Sequence, residues 1–503
     1  QALSPAPAGG YGTGVLDASG GANTIYVAGD WSNTSTAADP FVEGTSVVYW
    51  NGSSGTQQIS RSGGTETFYD LRITNTSAAM PGVLLIDPVA VTDDLDHTSG
   101  TLDLGGKALT LTGSGTAQTH SLTGAAMITS VAGGSFTVTD PSNINRINFT
   151  TYRLGDATQD LTVDVTCGRI QLVGVAQYGP ATFTKTLNVD DVFGGGNYYH
   201  GPVTFTATAS ASRWRMGDNV AVPDTFVNAT FNANALAGTN NNFIICSNSH
   251  GNAFYGTTRM TSTTVGGFFI CRQNGNGTAD ATFHGPVVAR VTHTGNITFA
   301  DSDSSHANTV TFDNTVQAQS SNTRTGDIYF GNSGYSAVNL TTNGQFITGT
   351  VQGLTSVYFR RVTQVGNLQQ SLIGISNSRV YCGGTAYPVV FNGPVDLKAD
   401  TVQVNSTTFQ ANADLWGLSH LTVAYSTFNG GTNTFTKQGS GNSNSIGGNT
   451  FAAGSNNTFV STGPGHMRLA VSQPDDVTGN VLYKQTGAGA RVPAYGTACA
   501  CSG

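Results

Sequence analysis

Tyr199-His200-Gly201-Pro202, Phe226-Val227-Asn228, Phe254-Tyr255-Gly256, Phe283-His284-Gly285-Pro286 and Phe312-Asp313-Asn314 are five versions of one element, an aromatic residue followed by small or polar residues and then a Thr/Val-rich run. They step by 27, 28, 29 and 29 residues (226−199, 254−226, 283−254, 312−283). Such a period is too long for a heptad and matches one coil of a solenoid. Tyr178-Gly179-Pro180 and Phe391-Asn392-Gly393-Pro394 extend the series on either side. Tyr178, Tyr199, Phe226, Phe254, Phe283, Phe312 and Phe391 are therefore expected to form a stacked structural ladder. A second marker precedes them in phase, at Arg215-Met216, Ile245-Cys246, Ile270-Cys271, Thr298-Phe299 and Tyr329-Phe330. Two markers per repeat imply stacked strands.

Outside the markers, apolar and polar residues alternate. In Gly100-Thr101-Leu102-Asp103-Leu104 and Ala108-Leu109-Thr110-Leu111-Thr112 the four leucines share one face of a period-two pattern. No window shows a helical period with caps. The expected fold is all-β, a right-handed parallel β-helix (β-solenoid) of roughly 24–30 residues per turn and about 17 turns. Equal positions of successive turns then stack at ~4.8 Å, inward aromatics in columns and outward Thr, Ser and Asn in water. Gly and Asn are expected to supply left-handed angles at corners, and each Gly-Pro to end one face. The chain divides into four segments: 1–125, an N-terminal β-strand module or the start of the solenoid; 126–400, irregular repeats; 401–462, shorter polar turns marked by Thr-Phe pairs; and 463–503, a cap or linker.

Composition narrows the function. Of 503 residues only 10% are charged, against roughly 25% in an average soluble protein, the net charge is −8, and Lys occurs only at 107, 185, 398, 437 and 484. No basic stripe is available to neutralise phosphates, so nucleic acid is not an expected partner. Hydrophobic residues make up 38%, enough for a long core despite 65 glycines. There is no run of 18 apolar residues and hence no expected membrane-spanning segment. The opening Gln1-Ala2-Leu3-Ser4-Pro5-Ala6-Pro7 is typical of what remains after signal-peptide removal, so an extracellular or cell-surface location is expected. Six cysteines (167, 246, 271, 382, 499 and 501) are too few for a disulfide scaffold and lack zinc spacing. Cys246 and Cys271 hold equivalent places on adjacent turns and read as buried thiols in preference to a disulfide.

Several residues invite a chemical reading. Asp190-Asp191 followed by Ser249-His250-Gly251 superficially resembles the acid pair and His motif of polygalacturonases, but 249−191 = 58 residues is about two turns where that family has about one. Asp190, Asp191 and His250 are the catalytic candidates of the alternative, enzymatic reading only. Asp at a turn and His at a polar corner explain them more simply. His200 and His284 share one place in the repeat, three turns or about 14 Å apart, too far for one metal ion. Asp93-Asp94-Leu95-Asp96 and Asp301-Ser302-Asp303 lack the spaced oxygens and Gly of a calcium loop and read as turns. No metal or cofactor is expected. Trp31, Trp50, Trp214 and Trp416 are either sugar-stacking platforms or core, the core being favoured.

Ala28-Gly29-Asp30-Trp31-Ser32-Asn33, Tyr49-Trp50-Asn51-Gly52, Thr67-Phe68-Tyr69-Asp70-Leu71-Arg72-Ile73-Thr74-Asn75 and Gly100-Thr101-Leu102-Asp103-Leu104-Gly105-Gly106 stand in an order that resembles the β-strand-repeat modules of giant surface adhesins of Bacteroidota, exported by type IX secretion. Asp327-Ile328-Tyr329-Phe330-Gly331-Asn332 and Ser426-Thr427-Phe428-Asn429-Gly430-Gly431 are similar to later repeats of that family. The resemblance implies a non-catalytic secreted or cell-surface structural protein, an adhesin stalk or filament subunit. Its partners would be further copies in a fibre, a larger surface polypeptide, or glycans. Residues 463–503 depart from the family, whose members usually end in a longer sorting domain. The alternative reading is a carbohydrate-binding or polysaccharide-cleaving β-helix.

Overall fold

The computed structural model describes residues 14–501 apart from 114–117, 132, 141–144, 159, 188–189, 193, 209–212, 218–221, 234–241, 264–266, 273–278, 302–306, 322–325, 333–334, 348, 350, 352–354, 375–376, 441–442, 445–446, 488–493 and 496–499. Among the described residues there is no helix, and the chain is a parallel β-solenoid of about 16 turns. It packs as two compact units, Gln1–Trp214 with Asp224–Thr230, and Arg215–Pro223 with Phe231–Gly503. The division falls inside the segment 126–400.

In the first unit a coil consists of three short strands. Thr119–Thr123, Met127–Thr129 and Ser135–Asp140 are followed by Arg146–Thr150, Arg153–Leu154 and Thr162–Cys167, each lying parallel on its predecessor. Register is kept position by position: Leu122 opposite Phe149, Phe149 opposite Leu172, Val165 opposite Phe183 and Phe183 opposite Phe205. All six side chains are buried. Within this unit the step between turns varies more than the marker series suggests, from 28 residues (Trp31 to Ile59) to 18 (Val163 to Ala181). Corner loops absorb the difference while strands stay in register.

The second unit carries two aromatic columns. Phe254, Phe283 and Phe312 stack with ring centroids 4.4 and 5.3 Å apart, and Phe299, Phe330 and Phe359 at 5.1 and 5.3 Å. The columns meet edge to face, as between Phe299 and Phe312 at 5.3 Å and 71°. Stacked offsets within a column and T-shaped contacts between columns are the two favoured arrangements of ring quadrupoles. Towards the C-terminus Phe391, Phe409, Phe428 and Phe451 continue at 5.9, 5.0 and 5.2 Å. In the first unit Tyr199 stacks on Phe226 at 4.9 Å. Tyr178 is not in that inward column. Register sets Gln177 against Tyr199, so Tyr178 falls on the alternate, outer face and stacks instead on His200 at 4.1 Å.

Outward columns form by the same rule. Tyr329, Tyr358 and Tyr381 stack at 4.5 and 4.7 Å, and Arg360 lies over the rings of Tyr329, Tyr358 and Tyr387.

The Gly-Pro corners have a different cause from the one the sequence suggests. None of Gly201, Gly285 and Gly393 has a positive φ, yet a Cβ on each would lie 2.2 Å from a carbonyl oxygen one turn earlier, of Tyr178, Gly256 and Leu368 respectively. Close approach of stacked backbones requires glycine there. Left-handed angles fall at another corner, where Cys246, Cys271 and Ala300 have φ of 57°, 55° and 55° on successive turns. Non-glycine residues carry that bend at a cost of roughly 1–2 kcal/mol each.

Gly285→Ala is expected to lower stability by about 1–3 kcal/mol, because backbone atoms have to move. Gly29→Ala, where nothing lies within 4 Å of the added carbon, is expected to leave it unchanged. Midpoints of urea unfolding, followed by intrinsic fluorescence, measure both.

Candidate functional site

On the second unit, strands Val395–Asn405 and Ala413–Ala424 run side by side with Asp396 opposite Asp414, Leu397 opposite Leu415 and Lys398 opposite Trp416. Leu397 and Leu415 are fully buried. Strand alternation therefore sends Asp396, Lys398, Asp414 and Trp416 to the outer face. Strand Gln370–Ile373 brings Ser371 beside Asp396, and strand Thr432–Lys437 brings Thr434 beside Asp414. An open groove of about 430 Å³ runs over this face, lined by Gln369, Pro394, Asp396, Asn412, Asp414 and Thr432.

Two carboxylates a strand spacing apart cannot both ionise freely. Partial burial raises Asp396 above the usual carboxylate range, with Lys398 pulling the other way. Partial burial, then the Asp396 charge, raises Asp414. The Lys398 ammonium sits 3.6 Å from the centre of the Trp416 ring, a cation–π contact on the same outer face. A pair of neighbouring carboxyls, both shifted upward, is the kind of arrangement that general acid–base chemistry draws on.

The residues named from sequence lie elsewhere. Asp190 and Asp191 belong to strand Asp190–Val192 of the first unit, but their side chains lie outside the described residues. His250 belongs to the second unit, and its Nδ1 is 3.3 Å from Asp280. His200 is held between the rings of Tyr178 and Tyr198, and burial with the nearby Arg153 charge lowers its pKa. His284 stacks on Tyr255 and places Nδ1 2.6 Å from Asp313. Asp301 pairs with Arg272 at 3.4 Å and accepts from Asn332 at 2.8 Å, while Asp303 lies outside the described residues. Trp31, Trp50 and Trp214 are buried in the core. Cys167, Cys246, Cys271 and Cys382 are buried.

Among the described residues no group of three or more His, Cys, Asp and Glu is arranged to hold a metal ion, and no helix is long and apolar enough to cross a membrane.

Sequence reasoning missed the Asp396–Asp414 pair because 414−396 = 18 residues is shorter than the repeat being followed. A signal existed: Val395-Asp396-Leu397-Lys398-Ala399 and Ala413-Asp414-Leu415-Trp416-Gly417 share one alternating pattern of small, acidic, leucine, large and small residues. Compared with known proteins, the chain matches no family model, no curated protein and no solved structure.

A carboxyl whose folded pKa is raised contributes stability in acid that is lost as pH climbs past its unfolded value near 4. Asp414→Asn is expected to flatten that part of the stability–pH profile and, both groups being partly exposed, to change stability at pH 7 by less than about 0.5 kcal/mol. Urea midpoints between pH 4 and 7 measure the flattening.

Proposed function

We propose that this chain is a non-catalytic structural protein of the cell surface or extracellular medium, an adhesin stalk or filament subunit of the kind that the giant type IX-secreted adhesins of Bacteroidota represent. The observation that carries the reading is like-on-like stacking on both faces of the strands, with Phe254, Phe283 and Phe312 inside and Tyr329, Tyr358 and Tyr381 outside. Bending a coil away from its neighbour breaks main-chain hydrogen bonds and ring contacts together, which suits a load-bearing element. The low charge density permits close approach of further copies or of a larger surface polypeptide, and the outer tyrosines offer hydroxyls to glycans.

Protease treatment of intact cells of the source organism is expected to release peptides of this chain, and deletion of its gene to reduce attachment to surfaces or to other cells. Recovery of the protein only from the cytosol would sink the reading.

One observation favours a second reading, a polysaccharide-binding or polysaccharide-cleaving solenoid: the in-register Asp396–Asp414 pair in its groove. That reading predicts release of reducing ends from a panel of neutral and acidic polysaccharides, lowered at least about 100-fold by Asp396→Asn or Asp414→Asn. No release from any member of the panel removes the cleaving version.

A further inference from the structure

At one corner of the first unit a buried imidazole is held between two carboxylates. His120 places Nδ1 2.9 Å from Asp94 Oδ1 and Nε2 3.1 Å from Asp140 Oδ2, and all three residues are buried. A neutral imidazole has one donor, whereas this ring faces an acceptor at each nitrogen, so the geometry calls for the imidazolium. Asp94 stands on strand Val89–Ser99, His120 on strand Thr119–Thr123 of the following turn, and Asp140 ends strand Ser135–Asp140. The ring thus ties one coil to the next and also closes the corner within its own coil.

The surroundings are rich in acid. From strand Glu66–Thr74, Asp70 accepts the Asp94 main-chain N–H at 3.1 Å, and Arg72 pairs with Asp96 at 3.5 Å. Asp93 accepts from the Gln118 side chain at 3.0 Å, and Asn145 donates its side-chain amide to Asp140. Along the column of Asp140 lie the Cys167 thiol and the buried Lys185. On the core side His97 Nδ1 is 2.7 Å from the Tyr152 hydroxyl. Asp94 and Asp140 therefore bond the ring directly, Asp70, Asp93 and Asp96 stand on the strands beside it, and Arg72 and Lys185 are the cations of these columns.

We propose that His120 is a proton-operated clasp, holding two successive coils of the first unit together while it carries its proton and releasing them when alkaline medium removes it. The titration of the cluster supports this. Burial opposes the charge on His120, but hydrogen bonds to Asp140 and Asp94 outweigh burial and raise its pKa to about 9. Its stabilising effect is then fully present below the unfolded value of 6.5 and is lost as pH rises through about 9. Burial, then the charges of Asp93 and Asp94, pushes Asp70 up to about 7, and its ionisation acts in the same direction at lower pH. His97 acts oppositely, since burial pushes it down to about 4, but only below pH 6.5. Asp70 is fully ionised by about pH 8, so the part of the change between pH 8 and 9.5 belongs to the clasp.

Hydrogen exchange of the full chain, corrected for intrinsic rates, tests the proposal. Between pH 7 and 9.5 the opening constants of peptides covering 89–99, 119–123 and 135–140 are expected to rise at least about tenfold, one pKa unit being a factor of ten. Strands Ile297–Phe299 and Ile328–Phe330 of the second unit are expected to hold. In His120→Gln the three peptides should open more at pH 7 and show no further rise between pH 8 and 9.5. Unchanged protection in the wild-type peptides, or an equal loss in the second unit, overturns the clasp. Should the Gln variant fail to fold, NMR of labelled histidine in the wild type decides: a His120 midpoint near 9 supports the proposal, and one at or below 6.5 overturns it.

Discussion

Parallel, in-register backbone pairing is the constraint on which everything else in this chain rests. Once residue n of one coil is bonded over residue n of the next, every side chain meets its own equivalent at the strand spacing. Chemistry is thereby forced into columns. Apolar columns are stable without further help, and the stacked phenylalanines of the second unit gain dispersion and quadrupole contacts beyond simple burial. Charged columns are not self-consistent, because like charges come to lie opposite each other. A chain with 10% charged residues has accepted that constraint throughout its length.

Where polar residues do enter the interior, they bond one coil to the next. Asn197 is bonded to Asp224 at 2.9 Å, Asn433 to Asn457 at 2.8 Å and Asn449 to Asp475 at 3.0 Å. Asn197 and Asn449 reach the neighbouring coil just before a strand begins, where the ladder does not yet supply main-chain partners, whereas Asn433 and Asn457 face each other within the ladder. The Asp94–His120–Asp140 bridge is the ionic form of the same device. The groove pair Asp396 and Asp414 is the more exposed counterpart, an acidic column in which partial burial raises both groups and Lys398 pulls the other way.

The fold was legible because its two signals are local and repeated. The aromatic steps of 27 to 29 residues define the coil, and the alternation around Leu102, Leu104, Leu109 and Leu111 defines the strands. Tyr178 was misassigned because an aromatic next to Gly-Pro looks the same whether it points in or out, and a shift of one residue reverses the face. The Gly-Pro corners were recognised, but the requirement behind them was not visible, since the atom that forbids a side chain at Gly285 is the Gly256 carbonyl one turn away.

By itself, the sequence determined the class of structure: all-β, coiled, with a period near 28 residues in its middle, little charge, and aromatic columns at recurrent positions. Period and alternation are properties of neighbours along the chain, and they survive without knowledge of what lies above or below. Tertiary structure alone decided which polar residues meet. Asp94, His120 and Asp140 are separated by 26 and 20 residues, and Asp396 and Asp414 by a turn of unusual length. Corner loops of variable size set those registers, and no local pattern encodes the size of a loop whose only task is to return the next strand to its place on the stack.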